Sequence, residues 1–325
     1  MPSAFVTGAT GFLGRHLIDV LTEQGWTIHI LVRDKKAAEK LFGDRVIYIS
    51  GNLTHPHDYA AKVPEGLDAL FHIAADTSSW KAEAARQHEV NVVATAGLLQ
   101  LATDKSVKRF VHVSSTSIYG IHKEPVTEET EKLGADSWVS YVNTKTFAER
   151  KVKEATWRGM DAVIVNPTHI IGRYDSHNWA RLIIRHADGS LPGVPPGAGN
   201  FANGRAVAEA LVAAYEKGKC GENYILGGPY ETMHGFLACA SRQLGLPEPK
   251  APTSAFMLTL LAEILGFWGN ITGKRPMVTP EEAYFATERV EALSDKAVRE
   301  LGYRIVPLEQ SVAECVAYLK EQKLV

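Results

Sequence analysis

The chain has 325 residues, with 35 lysines and arginines against 37 acidic residues, so its formal net charge is −2. No basic stripe or arginine-rich tail occurs, which argues against nucleic acid as a partner. The length suits one large domain, or a large domain with a smaller one beside it.

Three cysteines occur without the paired spacing of a zinc site or a disulfide framework, so we expect no metal and a reducing compartment: Cys220, Cys239 and Cys315. The chain enters its first apolar run almost at once, which leaves no room for a signal peptide. We therefore expect a cytoplasmic protein.

Apolar strand patterns alternate with helical periodicity in the first half of the chain. The predicted strands are Ser3–Thr7, Thr27–Val32, Val46–Ser50, Asp68–Ile73, Lys108–Ser114 and Met160–Asn166. The predicted helices are Phe12–Gln24, Ala82–Thr103 and Trp138–Trp157. This alternation predicts an α/β fold with a doubly wound parallel sheet of the Rossmann type.

The pattern becomes less regular after Ile171, with a loop rich in proline and glycine at 191–199 and a break at Leu246–Pro249. We predict a dinucleotide-binding domain over residues 1–171. Residues 172–325 are predicted to form mainly a smaller substrate-binding lobe, with some segments returning to the sheet.

A glycine-rich turn joins the first predicted strand to the first helix, with the spacing Gly8-x-x-Gly11-x-x-Gly14. Glycines permit a tight turn, close approach of the backbone to a ligand and close contact between helix and strand. The N-terminus of the following helix offers unpaired N–H groups to a pyrophosphate. The predicted cofactor contacts in this turn are Gly8, Thr10, Gly11, Phe12, Leu13 and Gly14.

The end of the second strand faces the adenosine ribose in a dinucleotide site. Here Arg33 and Lys40 favour the 2′-phosphate of NADP(H), whereas Asp34 leaves NAD(H) possible. Further cofactor contacts are predicted after the third and fourth strands, at Asn52 and Leu53 near the adenine and at Ile73, Ala74 and Ala75, where the backbone can lie against the cofactor.

Tyr141 and Lys145 lie four residues apart at the start of a predicted helix, so they share one face. A neighbouring ammonium favours the phenolate and tunes the tyrosine as a proton donor. Ser115 follows the fifth strand, whose carboxyl end opens into the ligand crevice of such sheets.

The segment Ala255–Trp268 is strongly apolar. It is shorter than the roughly 20 residues that span a bilayer, and Glu263 interrupts it. We expect a buried or pocket-lining helix rather than a membrane span, with association at a membrane surface as the alternative.

These motifs together resemble the extended short-chain dehydrogenase/reductase superfamily. The residues that carry the resemblance are Thr7–Gly14, His72–Ala75, Ser114-Ser115, Tyr141-x-x-x-Lys145 and Asn166-Pro167-Thr168. More narrowly, the chain resembles the carbonyl reductases related to dihydroflavonol reductase, through Arg33 with Lys40, Ala74-Ala75-Asp76 with Trp80, and Gly273–Met277.

The resemblance implies catalytic roles for three residues. Tyr141 would protonate a carbonyl oxygen as hydride arrives, Lys145 would lower the pKa of Tyr141 and hold the nicotinamide ribose, and Ser115 would hydrogen-bond the same oxygen. It also implies that Pro167, Thr168 and Ile170 line the nicotinamide, and that Tyr141 and Lys145 contact the cofactor as well as the substrate oxygen.

Other positions follow the family pattern less directly. We expect Asn91 to tie its helix to the sheet and His169 to be a packing or hydrogen-bonding residue. Arg205 stands about where relatives carry an acid, which puts the anchoring of its helix in doubt. A homodimer through Ala82–Thr103 and Trp138–Trp157 would follow the family habit.

The predicted reaction is NADP(H)-dependent reduction of a bulky, apolar or aromatic ketone or aldehyde, and the candidate substrate wall comprises Trp80, Trp179, Phe201, Phe256, Phe267 and Trp268. Dehydratases of the superfamily need an Asp-Glu pair where this chain has Thr116 and Ser117. Two alternatives stay open. One is a sugar-nucleotide epimerase that uses Asn166, Arg173, Arg181 and Arg185, and the other is a non-catalytic NADP sensor.

Overall fold

A computed structural model describes residues 1–325. The strands are β1 (Ser3–Thr7), β2 (Thr27–Val32), β3 (Ile47–Ser50), β4 (Ala69–His72), β5 (Arg109–Val113), β6 (Ala162–Pro167), β7 (His169–Ile171), β8 (Ala198–Asn203), β9 (Asn223–Leu226), β10 (Tyr230–Thr232) and β11 (Arg289–Val290). All six predicted strands are confirmed to within two residues at each end.

The α-helices fall between and after these strands. They are α1 (Phe12–Glu23), α2 (Lys35–Phe42), α3 (Ala84–His88), α4 (Ala94–Asp104), α5 (Ser140–Trp157), α6 (Ala180–Ala187), α7 (Gly204–Lys217), α8 (Met233–Leu244), α9 (Ala255–Thr272), α10 (Pro280–Thr287), α11 (Asp295–Leu301) and α12 (Leu308–Glu321). The predicted helix Ala82–Thr103 is interrupted by a π-helical turn at Glu89–Val93, which links α3 to α4.

The main sheet has seven parallel strands in the order β3-β2-β1-β4-β5-β6-β9. The chain runs outward from β1 to β3 and then returns to the other side of β1 with β4, so the strand order reverses between β1 and β4. Apolar side chains pack on both faces, in clusters of 35 and 15 buried residues. The predicted doubly wound sheet is confirmed, and its reversal point is where such sheets bind ligands.

The second half of the chain contributes to the main sheet and also forms a smaller one. Strand β9 completes the main sheet, and α7 packs against α1. Strand β8 is the centre of the small sheet, which β7, β10 and β11 join. Another cluster of 15 buried residues lies around this small sheet. The division at residue 171 stays a prediction.

The apolar segment near the C-terminal third forms helix α9, and the prediction that it is buried is wrong. Only Ala262, Gly266 and Gly269 are buried, while most of the large apolar side chains are exposed. The reason is that the small residues occupy the side that faces the body of the protein. By length and composition alone α9 could cross a membrane, with 18 residues and a mean hydropathy of 1.4.

The turn between β1 and α1 generates a prediction on stability. An ideal Cβ at Gly14 would lie 2.1 Å from the carbonyl oxygen of Gly8, which is backbone and cannot swing aside. We expect Gly14→Ala to lower the free energy of unfolding by about 3 kcal/mol. Gly25 has a positive φ of 73° but open space around it, so Gly25→Ala should cost only about 1 kcal/mol.

Urea unfolding of the two variants beside the wild type measures this difference. Equal losses of stability in the two variants would show that close packing is not the reason why position 14 requires glycine.

Candidate active site

The turn between β1 and α1 packs tightly against the segment after β4 and leads into an uncapped helix N-terminus. Gly8 has a φ of 78°, and an ideal Cβ on it would lie 2.6 Å from the backbone nitrogen of Ala74. Helix α1 begins at Phe12 after Gly11, no side chain caps it, and no acidic residue lies in its first turn. Its N–H groups and the positive end of its dipole therefore suit an anionic phosphate.

The end of β2 carries the residues predicted to distinguish the two nicotinamide cofactors. Arg33 is exposed and forms no ion pair, and Lys40 is exposed in the last turn of α2. The Asp34 carboxylate caps α2 by accepting a hydrogen bond of 3.0 Å from the N–H of Ala37. Asp34 is thus engaged by its own helix, whereas the Arg33 guanidinium is free.

The remaining predicted cofactor contacts follow the carboxyl ends of three parallel strands, which meet at one edge of the sheet. Asn52 and Leu53 follow β3, Ile73–Ala75 follow β4, and Pro167 ends β6. Thr168 is held beside β9 by a hydrogen bond of 3.1 Å from its N–H to the carbonyl of Leu226, and Ile170 lies in β7. These residues could hold a dinucleotide along that edge.

Ser115, Tyr141 and Lys145 converge at the carboxyl end of β5. Ser115 caps a 3-10 turn, and its Oγ accepts hydrogen bonds from the N–H of Ser117 at 3.2 Å and from the hydroxyl of Ser117 at 2.9 Å. Tyr141 and Lys145 lie in the first two turns of α5. The Lys145 ammonium donates a hydrogen bond of 2.6 Å to the carbonyl of Val113, the last residue of β5.

Burial dominates the proton equilibria of this group. It lowers the pKa of Lys145 to about 8, although the nearby Glu149 carboxylate favours the charged form. Burial raises the pKa of Tyr141, and a hydrogen bond with Ser115 opposes the rise only in part. The expected lowering of the tyrosine pKa by Lys145 is therefore not found in this structure, because the desolvation of Tyr141 outweighs its favourable contacts.

A buried polar network that the sequence did not predict lies behind Lys145. Glu149, one helical turn further on, forms an ion pair of 2.6 Å with Lys132 and accepts hydrogen bonds from Asn166 at 3.0 Å and Asn223 at 2.9 Å. Burial would raise the pKa of Glu149, but Lys132, the Ser114 hydroxyl and the Asn166 amide together hold it below its usual value. Its spacing of four residues from Lys145 was the one available signal.

Asn166 also connects this network to the serine. Its amide donates a hydrogen bond of 3.2 Å to the carbonyl of Ser115 and accepts one of 2.8 Å from Asn223. Asn166 therefore fixes the backbone that presents the Ser115 hydroxyl, and its own side chain is fully buried.

Asn91 and His169 lie beside the site in structural positions. Asn91 accepts a hydrogen bond of 2.7 Å from the N–H of Asp76 and donates to the carbonyl of Asp76 at 3.0 Å and to the hydroxyl of Thr144 at 3.1 Å. The His169 ring packs on Trp179 with 4.1 Å between centroids, and burial lowers the pKa of His169 to about 4. These contacts agree with structural roles for Asn91 and His169.

Arg205 anchors α7 through ion pairs, although the family resemblance leads us to expect an acidic residue at this position. It forms ion pairs with Glu23 at the end of α1 and with Glu209 on its own helix, the latter at 2.8 Å. The helix is thus attached to α1 through a cation.

Aromatic side chains of α10 cover the tyrosine. The Phe285 ring lies 6.1 Å from the Tyr141 ring at 75°, and Tyr284 lies 5.4 Å from Phe285. Trp138 stands 5.8 Å from Tyr284. No motif distinguished Tyr284 or Phe285 in the sequence, because only the placement of α10 over α5 brings them to the site.

Most of the predicted aromatic wall lies elsewhere. Phe201 is fully buried and stacks on Phe236 at 4.7 Å, so it belongs to the core. Phe256, Phe267 and Trp268 are 74%, 62% and 58% exposed on α9, so their assignment to a substrate wall is wrong. Trp80 is half-buried.

The arginines proposed for a substrate diphosphate are also largely engaged. Arg173 forms a bidentate ion pair with Glu321, at 2.9 and 2.7 Å. Arg185 donates to the carbonyl of Ser190 at 3.0 Å, and Arg181 stands 3.9 Å from Glu282. With Asn166 buried in its own network, no ready cluster of donors remains for a sugar diphosphate.

A doubly wound sheet with a glycine turn at its first strand, and a serine, tyrosine and lysine at its centre, defines a nicotinamide-dependent enzyme of the short-chain dehydrogenase/reductase type. The family model described as NAD dependent epimerase/dehydratase family matches residues 4–227. The chain belongs to this family, and it is an NAD(P)-dependent oxidoreductase.

Similar proteins include reductases. A Stigmatella aurantiaca protein named 4-hydroxy-2-methyl-3-oxo-4-farnesyl-3,4-dihydroquinoline-1-oxide ketoreductase is 31% identical over 92% of this chain and 91% of its own length. A Synechocystis protein provisionally named a dihydroflavonol 4-reductase is 29% identical over 97% and 94%. The crystal structure of gox2253 matches with a TM-score of 0.86 and 27% identity over 100% of each chain.

The buried lysine makes stability depend on pH. Its folded pKa of about 8 is below the ordinary 10.5, so between these pH values the unfolded chain binds more protons and the free energy of unfolding rises with pH. We expect Lys145→Met to remove this rise. Between pH 8 and 10.5 the wild type should gain up to about 3 kcal/mol relative to the variant.

Urea unfolding at several pH values measures the gain, and Lys36→Met, at an exposed lysine of α2, is the control that should follow the wild type. Parallel stability curves for the wild type and Lys145→Met would contradict burial of the charge.

Proposed function

We propose that the protein reduces a ketone or aldehyde of a bulky, apolar small molecule with NADP(H) as the hydride donor. The observation that carries this proposal is the convergence of Ser115, Tyr141 and Lys145 at the end of β5, beneath the aromatic ring of Phe285. An apolar cover over a proton donor suits an apolar substrate.

The residues of the glycine turn and of the strand ends fit a dinucleotide, because the first N–H groups of α1 are not capped by a side chain and no acidic residue lies in the first turn. The bound cofactor supplies a hydride to the carbonyl carbon. Tyr141 donates its phenolic proton to the carbonyl oxygen, which becomes the alcohol. Ser115 donates a hydrogen bond to the same oxygen as negative charge develops on it.

Lys145 holds the positive charge of this site. We expect its ammonium to stabilise the phenolate that Tyr141 becomes after it has donated its proton, and to donate a hydrogen bond to the nicotinamide ribose of the bound cofactor. The raised pKa of Tyr141 keeps the phenol protonated and ready to donate at neutral pH.

NADP(H) is proposed over NAD(H) because Arg33 is free at the end of β2 while Asp34 is engaged as a helix cap. Lys40 adds a second cation on α2. A cytoplasmic location, which the unpaired cysteine spacing supports, and a homodimer through residues 82–103 and 138–157, which the family resemblance implies, are part of the same proposal.

The names of two relatives support a carbonyl substrate, since one is named a ketoreductase of a farnesyl-bearing dihydroquinoline oxide and the other is provisionally named a dihydroflavonol 4-reductase. The epimerase alternative is less well supported, because Asn166, Arg173 and Arg185 are engaged in internal contacts. If the protein were a non-catalytic NADP sensor, the buried Lys145 and the Ser115–Tyr141 contact would have no role.

The proton donor is tested by Tyr141→Phe, which removes the hydroxyl and keeps the ring packed against Phe285. We expect kcat for NADPH-dependent reduction of bulky ketones to fall by about 10² to 10⁴. The Kd for NADPH, measured by fluorescence titration, should change far less than kcat, because the hydroxyl is one of many predicted cofactor contacts. Tyr230→Phe, at an exposed tyrosine, is the control.

Retained turnover in Tyr141→Phe would contradict the assignment of the proton donor. A wild type that binds NADPH but reduces nothing in a broad ketone panel would favour the sensor.

Cofactor choice is tested by Arg33→Ala. Loss of a charge-assisted hydrogen bond to the 2′-phosphate should weaken NADPH binding by about tenfold and leave NADH binding nearly unchanged. Arg304→Ala removes another exposed arginine, which lies outside β2 and α2, and serves as the control. Titration of each variant with the two cofactors gives the ratio, and equal affinities in the wild type would refute the preference.

A further inference from the structure

Helix α9 presents a continuous apolar surface to solvent. We call this surface the apolar arc, and it consists of Phe256, Met257, Leu260, Leu261, Ile264, Phe267, Trp268 and Ile271. These side chains are between 43% and 74% exposed. At the helical rotation of about 100° per residue they fall within a sector of about 140°. Scattered apolar residues are ordinary on a surface, but a contiguous patch of this kind marks an interaction site.

The helix cannot turn this surface inward. Its opposite side holds Gly266 and Gly269, where ideal Cβ atoms would lie 2.9 Å from Pro280 and 2.8 Å from Pro276. Only residues without a side chain fit against these prolines. The apolar arc therefore points away from the protein as a consequence of packing.

The segments that flank α9 are tied to the body, so the helix lies along it. Before the helix, the N–H of Thr253 donates a hydrogen bond of 2.8 Å to the carbonyl of Val194. After it, the hydroxyl of Thr279 donates one of 2.5 Å to the carbonyl of Ser79. A helix anchored along its side and near its two ends can lie on a bilayer but cannot cross one.

The charges around the apolar arc suit an anionic surface. Between residues 250 and 278 the only acidic residue is Glu263, which falls just outside the edge of the arc. Lys250 precedes the helix and Lys274 follows it, and each is exposed without an ion pair. Arg275 is paired with Glu282 at 3.0 Å. Two free cations thus flank the arc in a chain whose net charge is negative.

We propose that α9 lies in the interfacial layer of a lipid bilayer that contains anionic lipids, with the apolar arc buried at the boundary of headgroups and acyl chains. A single helix from a second copy would cover a narrow seam, whereas the arc is about 140° wide. Phe256 near one end and Trp268 near the other are aromatic side chains of the kind found at membrane interfaces.

This attachment would bring the active site to the bilayer. Helix α9 packs on Pro280, which begins α10, and α10 carries the Phe285 that covers Tyr141. A membrane-dissolved substrate would meet the aromatic cover next to the lipid. The proposal that α9 binds a bilayer is based on the exposure and charge of the helix. It does not depend on the proposed reaction.

The test is flotation of the full chain with vesicles of phosphatidylcholine that contain a minor share of phosphatidylglycerol. We expect the wild type to float with the vesicles. The double variant Ile264→Glu/Ile271→Glu places two charges within the apolar arc and should lower the partition coefficient at least about tenfold. The control Ile47→Glu/Ile305→Glu adds the same charges at residues that are each 49% exposed outside α9, and it should float like the wild type.

Wild-type protein that stays in the aqueous fraction would overturn the proposal, as would equal losses in the two double variants. A wild-type dimer that only Ile264→Glu/Ile271→Glu dissociates, without vesicle binding, would assign the arc to a second copy. Thermal unfolding verifies that each variant is folded. Reduction of a water-soluble ketone without vesicles should be unchanged in both variants, so a failure of the proposed reaction leaves the flotation result intact.

Discussion

The hydrogen bond from the Lys145 ammonium to the Val113 carbonyl is the interaction on which the site depends. It places a buried cation at the carboxyl end of β5 and holds the first turns of α5 against the sheet. A charge removed from water needs compensation. Glu149 supplies part of it from the next turn of the same helix and is itself held by Asn166 and Asn223. The network thereby connects α5 with β6 and β9.

The Lys145 network depends on contacts between side chains, whereas the glycine turn depends on the absence of side chains. Strands β1 and β4 are neighbours at the reversal point of the sheet, and the turn after β1 must pass close to Ala74. Only glycine at position 8 allows this approach and the positive φ. The N-terminal backbone of α1 thereby remains accessible to a phosphate. The charged side chains of the site lie instead on α5, beside the end of β5.

The sequence predicted the parts of this arrangement that local patterns encode. The strand and helix alternation, the glycine spacing and the pairing of Tyr141 with Lys145 each depend on residues close together in the chain. The Glu149 network was missed because Lys132, Asn166 and Asn223 approach it from distant segments. A motif locates a side chain along the sequence. Only the folded structure shows which other side chains contact it.

Helix α9 shows the same limit for hydrophobicity. Its composition is that of a core helix, and composition alone led to the expectation of burial. The outcome was decided by Gly266 and Gly269, which let Pro276 and Pro280 approach so closely that no room remains for a large side chain on that side. The large apolar side chains of α9 therefore face solvent. Because α9 is held through small residues, few buried apolar contacts oppose its displacement compared with the main sheet. This helix packs on Pro280 at the start of α10, the helix that carries the aromatic cover of Tyr141.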